Sequence, residues 1–194
     1  MLHIDHELGI RQVVEKLART EQPRHRRMLE VIRDHMIAEN DGDVDRIMET
    51  ISPHAAYHTW ATPEDIGAKG IDGVREYYEG FFATKAHFFE NDCQRIVVDD
   101  DGVLTEAVMR MIKPGAVLNG EAFGPGSGAF EHEGVSAFDP SAHYLLENRV
   151  VIIWVFDDDL LLVGEDAYAG AANTLRTLSD DELPAAYREL LART

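Results

Sequence analysis

The chain has 194 residues, 45% hydrophobic and 28% charged, and its 36 acidic against 18 basic side chains give a formal net charge of −18. This length supports one well-buried core and is short for two, the acidic field repels phosphate backbones and anionic lipid, and the single Cys93 excludes an internal disulfide and a cysteine-based zinc site. No apolar run approaches the roughly 18 residues of a membrane span, and MLHIDHELGI lacks the basic and apolar regions of a signal peptide, so neither nucleic acid nor membrane is an expected partner and a cytoplasmic location is expected.

In chain order, Ile10, Val13, Val14 and Leu17 recur at i, i+3, i+4 and i+7, the spacing of an amphipathic helix. Pro23 interrupts it. From Arg24 the same spacing returns through Met28, Val31, Ile32 and His35, and Gly42 ends it. DVDRIMETI begins with an aspartate suited to cap a short helix, and AAYHTW follows as a strand with polar and aromatic residues where a buried strand carries Val or Ile. GIDGVREYYEGFFAT is again helical, with Ile71, Val74, Tyr78 and Phe81 or Phe82 on one side. Beyond it the period changes to two: CQRIVVDDDGVLTEAVMRMIK and ENRVVIIWVFDDDLLLVGEDAYA each read as a hairpin. Helices first and a mostly antiparallel sheet afterwards is the α+β pattern.

Between the hairpins lies a Gly-rich stretch, 114–147, too long for a tight connection and of the kind that carries function or disorder; AFEHEGVSAF within it has room for a further strand. Ser127 has flanking glycines without the strand and helix of a nucleophile elbow. The stretch has no Gly-Lys-Ser/Thr ending and is not a phosphate loop. The acidic runs at 99–101 and 157–159 lack the alternating ligands of a calcium loop and read as turns. His54 and His58 straddle a turn, and neither His132 nor His143 adds a converging ligand, so no metal site is expected.

HMIAENDGDVDRI, AAYHTW, KGIDGVREYYEGFF and VIIWVFDDDLLLVGEDAY, in that order and at that spacing, resemble the nuclear-transport-factor-2-like superfamily, and within it the SnoaL-like polyketide cyclases and their relatives. The resemblance covers about 26–175, leaving 1–25 as an N-terminal helical extension and 176–194 as a C-terminal helix or tail of a single domain. It implies a cone in which a curved, mostly antiparallel sheet wraps around helices and encloses a deep apolar pocket, a homodimer built through the sheet, and a small hydrophobic molecule as partner with no cofactor.

Such a cone gives the polar strand an interior to face: Tyr57 and Thr59 share one side, His58 and Trp60 the other. The resemblance to ketosteroid isomerases places Thr59 where those enzymes carry their base, and His35, seven residues before Gly42, where they carry an oxyanion-hole tyrosine. Limonene-epoxide hydrolases imply an Arg and an Asp at positions that here are Ala107 and Met109, so their triad is incomplete; the second isomerase acid falls near Ile152. The final strand supplies a carboxylate: alternation groups Gly164, Asp166 and Tyr168 against Val163, Glu165 and Ala167, and the resemblance to SnoaL-like cyclases points to Asp166. The expected catalytic set is Asp166 as base with His35 and Tyr57 as donors, and the expected pocket lining is Thr59, Trp154, Tyr168, Met109, Trp60 and His58. The implied reaction is acid–base chemistry of the cyclase, isomerase or dehydratase type on a hydrophobic oxygenated compound; a non-catalytic binder using the same pocket is the alternative.

Overall fold

The computed structural model describes residues 2–60, 65–120, 137–170 and 174–193. Helix α1 (Leu8–Ala18) buries Val13 and Leu17 against α2 (Pro23–Asp41), whose first residue is the proline that ends the earlier helical pattern. Proline suits that position because its missing N–H lies where no intrahelical acceptor exists, and the Gln22 side chain caps the turn by accepting from the His25 amide at 2.7 Å. At the other end Gly42 takes φ 70°, the left-handed conformation that closes a helix without a Cβ clash. Asp43 then caps α3 (Val44–Met48) by accepting from the Arg46 amide.

Strand β1 (His58–Thr59) is only two residues long and is followed by α4 (Gly70–Ala83), β2 (Phe89–Val98), β3 (Gly102–Pro114), a turn of helix α5 (Gly115–Leu118), β4 (His143–Phe156), β5 (Leu162–Ala169), β6 (Thr174–Leu178) and α6 (Ala185–Ala192). The sheet runs β1-β5-β4-β3-β2, antiparallel except for the β1–β5 edge. β4 is the spine. Along one side it pairs with β3 over its whole length, and along the other its C-terminal half pairs with β5 and its N-terminal half with β6. The architecture is α+β with a curved, unclosed sheet around helices, and register shifts in β2 and at the β4–β5 pairing mark bulges of the kind that bend and twist strands.

Two apolar clusters fill the fold. The larger joins α1, α2, α4 and the concave sheet face through fully buried Met28, Leu29, Ile32, Ile47, Val74 and Leu162, each contributing about 1.5–3 kcal/mol by leaving water. The smaller gathers Ile4, Phe88, Ile112, Leu145, Leu178, Leu183 and Tyr187, so residues before α1 and after β6 share one core. β6, α5 and the segment that seats Ile4 were not part of the sequence expectation. Of the strand considered in AFEHEGVSAF, residues 129–136 lie outside the described residues, as do Ser127 and His132; 137 and 138 belong to no strand. Among the described residues no helix is long and apolar enough to cross a membrane.

Candidate active site

Register fixes which residues face inward. Across β3, β4 and β5 the rungs read Val103–Trp154–Glu165, Thr105–Ile152–Ala167 and Ala107–Val150–Ala169. Trp154 is buried and its indole N–H donates to Thr105 Oγ1 at 3.0 Å, so this face is the concave one. Between it and the helices lies a cavity of about 220 Å³ whose wall includes Thr59, Met109, Trp154, Glu39 and Glu165. The volume falls between a roughly 150 Å³ cavity that admits benzene and the roughly 300–1,000 Å³ of drug-sized pockets.

Thr59, Trp154 and Met109, expected as pocket lining, are among the wall residues. Asp166 is not. It shares the convex face with Tyr168, which is 47% exposed, and its register partner is His58. The inward carboxylate of β5 is Glu165. The sequence grouping of alternate residues holds; the side assigned to each group is reversed. The assigned side rested on the resemblance; in the register Val155 pairs with Gly164 and Phe156 with Leu162, so Val163 is skipped, and Leu162 and Glu165 both face inward although only two residues lie between them. Burial raises the Asp166 carboxyl above its ordinary pKa, against the lowering charges of His58 and Lys69, and its Oδ1 is buried with no partner among the described residues.

His58 and Trp60 also lie outside the cavity wall. Their rings stack at 6.1 Å, and Trp60 stacks in turn on Tyr168 at 6.5 Å. His58 Nδ1 sits 2.7 Å from Asp65 Oδ2, which also pairs with Lys69 at 2.7 Å, while Asp65 Oδ1 accepts the Thr59 and Gly67 amides. Lys69 foremost, then these amides, hold the Asp65 carboxyl far below the usual carboxylate range. This cluster ties down β1. It also explains Gly67: a Cβ there would lie 2.1 Å from the Tyr57 carbonyl oxygen.

His35 and Tyr57 lie behind the wall, in a hydrogen-bonded chain that reaches the cavity through Glu165. Thr50 Oγ1 donates to the Ile47 carbonyl at 2.6 Å, so its oxygen is an acceptor for His35 Nδ1–H at 2.8 Å. His35 Nε2 is 2.9 Å from both Glu165 Oε1 and the Tyr78 hydroxyl. Tyr78 donates to Glu165 Oε1 at 3.0 Å, and Tyr57 lies 3.3 Å from the Tyr78 oxygen. One proton inventory satisfies every contact: Tyr57 donates to Tyr78, Tyr78 to the Glu165 carboxylate, and a doubly protonated His35 shares its Nε2–H between Glu165 and the Tyr78 oxygen and gives its Nδ1–H to Thr50. The pKa directions agree. Burial pushes His35 down, but the hydrogen bond to Glu165 and the charges of Glu165 and Glu39 outweigh it, and the net direction is up. Burial first, and the Glu165 charge second, lift the Tyr57 and Tyr78 hydroxyls well above 10, so both stay donors.

Glu39, four residues after His35 on the same face of α2, brings a second carboxyl into the wall. Desolvation, then the neighbouring Glu165 charge, push it up to about 8 against the pull of His35. Lys113 also lines the cavity, its ammonium 5.1 Å from the Phe81 ring centroid, and burial lowers it to about 8. The cavity thus presents one carboxylate fixed by two donors and one carboxyl that keeps its proton at neutral pH, the separation of roles that general acid–base chemistry uses. Glu165, Glu39 and Tyr78 were missed in the sequence, although the His35–Glu39 spacing and the small Ala167 and Ala169 beside Glu165 both mark a lined void. Among the described residues no group of three or more His, Cys, Asp or Glu could hold a metal ion.

The SnoaL-like domain family matches residues 32–163. Similar solved structures include a protein from Shewanella denitrificans assigned as a SnoaL-like polyketide cyclase (TM-score 0.56, 8% identity, 74% of this chain and 90% of that one). An LEH-like epoxide hydrolase of M. tuberculosis aligns with TM-score 0.52 and 14% identity over 76% and 86% of the two chains. A protein from Jannaschia, also assigned as a SnoaL-like polyketide cyclase, aligns with TM-score 0.50 and 12% identity over 77% and 90%. At these identities the likeness is one of fold. No curated protein matches the chain.

Proposed function

The chain belongs to the SnoaL-like family, and from that premise we propose that it is a cofactor-independent enzyme of the cyclase, isomerase or dehydratase type, acting on a hydrophobic oxygenated small molecule in the cavity. The observation that carries this reading is Glu165, a carboxylate in the cavity wall whose Oε1 is held from behind by Tyr78 and His35. A carboxylate so oriented suits proton abstraction from an activated carbon or a water. Glu39, protonated at neutral pH, is the donor to the oxygen on which charge develops. His35 and Tyr57 act through Glu165 and Tyr78, as positioning residues. Thr59, Trp154 and Met109 shape the wall around the reacting atoms.

The reading is tested without a cognate substrate by following α-proton exchange of 2-indanone in D₂O by NMR. Glu165→Gln keeps the shape and removes the basicity, so the catalysed rate falls by roughly 10²- to 10⁴-fold. Exchange at the wild-type rate in Glu165→Gln overturns the assignment. A ligand-binding role for the same cavity is the second reading, favoured by Ala107 in the core and Met109 in the wall, where the hydrolase resemblance implies an Arg and an Asp. Saturable binding of the ketone with no exchange above buffer moves the assignment there.

We further propose a homodimer through the convex sheet face. Leu104, Val151, Ile153 and Val155 are half-buried there, and Trp60 and Tyr168 are 39% and 47% exposed, an apolar area that water contacts in a lone copy.

A further inference from the structure

The cavity has a second polar end. Beyond Trp154 the inward residues of β4 are Ile152, Val150 and Asn148, so Asn148 lies six residue rises from Trp154, roughly 20 Å along the strand. On the same rung Asn148 pairs with Met109, and Met109 with Asn91 of β2. Both asparagines line the cavity, with exposures of 6% for Asn91 and 8% for Asn148. In both, the buried side-chain oxygen Oδ1 has no hydrogen-bond partner among the described residues.

Two buried acceptors without donors, on either side of Met109 in a cavity wall, are not explained by the fold. The ladder between β2, β3 and β4 is made by main-chain groups, and a leucine of similar shape fills either position without a polar atom to desolvate. Their donors have to come from whatever occupies the cavity, solvent in the free protein and ligand in the complex. The two Cα atoms are separated by two strand spacings, roughly 10 Å, and on a concave face the side chains converge over Met109. One hydroxyl carries one proton and cannot serve both oxygens, whereas a pair of hydroxyls on neighbouring or alternate carbons supplies one to each.

We propose that Asn91 and Asn148 form a subsite for the dihydroxylated end of a slender ligand, each carboxamide oxygen accepting one hydroxyl proton. This deepens the small-molecule reading of the cavity and rests on it. The ligand is a diol or diphenol whose hydroxylated end lies away from Glu165, with an apolar body along Val150, Ile152 and Ala167. Asn91 and Asn148 then determine specificity and orientation, setting which carbon comes to rest against Glu165.

The test is a calorimetric titration with 4-hexylresorcinol and its dimethyl ether, a pair in which methyl groups replace the two hydroxyl protons. Wild-type protein binds the diphenol about tenfold or more tightly than the ether, because the ether leaves both acceptors unpaired. Asn91→Leu and Asn148→Leu, made singly so that misfolding of one leaves the other, each reduce that preference, and Glu165→Gln retains it. Melting temperatures supply an independent readout: residues that serve a ligand rather than the fold leave Tm unchanged or raised on replacement by leucine. Equal binding of the two compounds, binding of neither, a preference that survives both leucine variants, or a Tm that falls in both overturns the proposal. The proton-exchange rate of Glu165→Gln is independent of these outcomes, so loss of the subsite and loss of the catalytic assignment are separately visible.

Discussion

The buried chain behind the cavity makes a quantitative prediction at Thr50. Thr50→Val preserves shape and removes the one acceptor of His35 Nδ1–H, 2.8 Å away, in a histidine with no solvent exposure. The hydroxyl's own bond to the Ile47 carbonyl is lost too, at 2.6 Å, but that oxygen still accepts the Thr50 amide at 2.9 Å, so no carbonyl is orphaned. The cost is therefore a buried hydrogen bond to a charged group, about 1.5–3 kcal/mol, and a fall in Tm of about 3–12 °C for a chain of this size. The sign of its pH dependence follows from His35. A folded pKa raised above 6.5 gives stability that is fully present below 6.5 and is lost as pH rises through the folded value. The groups facing His35 are Glu39 on α2, Tyr57 before α4, Tyr78 on α4 and Glu165 on β5. They are the same in wild type and variant, so their titration largely cancels in the difference. Urea unfolding at pH 5.5 and pH 9 should give a larger wild-type-to-variant gap at pH 5.5. A gap that is equal at the two pH values, or absent, refutes the imidazolium–carboxylate assignment.

Glu39→Gln tests the other carboxyl: because its folded pKa is raised from 4.5 to about 8, the wild type loses stability as pH rises through that window, by up to about 1.4 kcal/mol per pH unit, and urea midpoints of the variant should follow a flatter profile. Gly67→Ala drives a Cβ to 2.1 Å from the Tyr57 carbonyl oxygen, a backbone atom that cannot swing aside, and a loss of about 1–3 kcal/mol is expected by chemical denaturation. Ile153→Arg places a charge in the centre of the convex face and should convert a dimer to monomers in light scattering at micromolar concentration; a wild-type monomer there removes the dimer proposal.

Periodicity made α2 legible. Its spacing put His35 inward, and Gly42 with Asp43 marked the turn between two helices. Alternation likewise separated Tyr57 and Thr59 from His58 and Trp60, and placed Trp154 in the wall. At β5 alternation separated Glu165 from Asp166, but the inward side was taken from the resemblance, which points to Asp166; the register on β4, with Val163 skipped, turns Glu165 into the cavity. Nothing local in LLLVGEDAYA announces that skip; it exists only in the pairing with β4. The chain from Thr50 to Tyr57 was illegible for a different reason. Its members come from segments 15 and 43 residues away from His35 and meet only once helix and sheet have packed.

The smaller core joins the chain's first described residues to its last: Ile4 packs with Leu178, Leu183 and Tyr187, the Leu2 amide donates to the Glu182 carbonyl at 3.1 Å, and two residues past Ile4 His6 stands in the cavity wall. Ile4 and its partners in β6 and α6 lie more than 170 positions apart in the chain, while Phe88, Ile112 and Leu145 complete the same core from the middle of it. Fraying of β6 and α6 therefore loosens the segment that carries His6, and with it that part of the cavity wall, without disturbing any residue of the larger core.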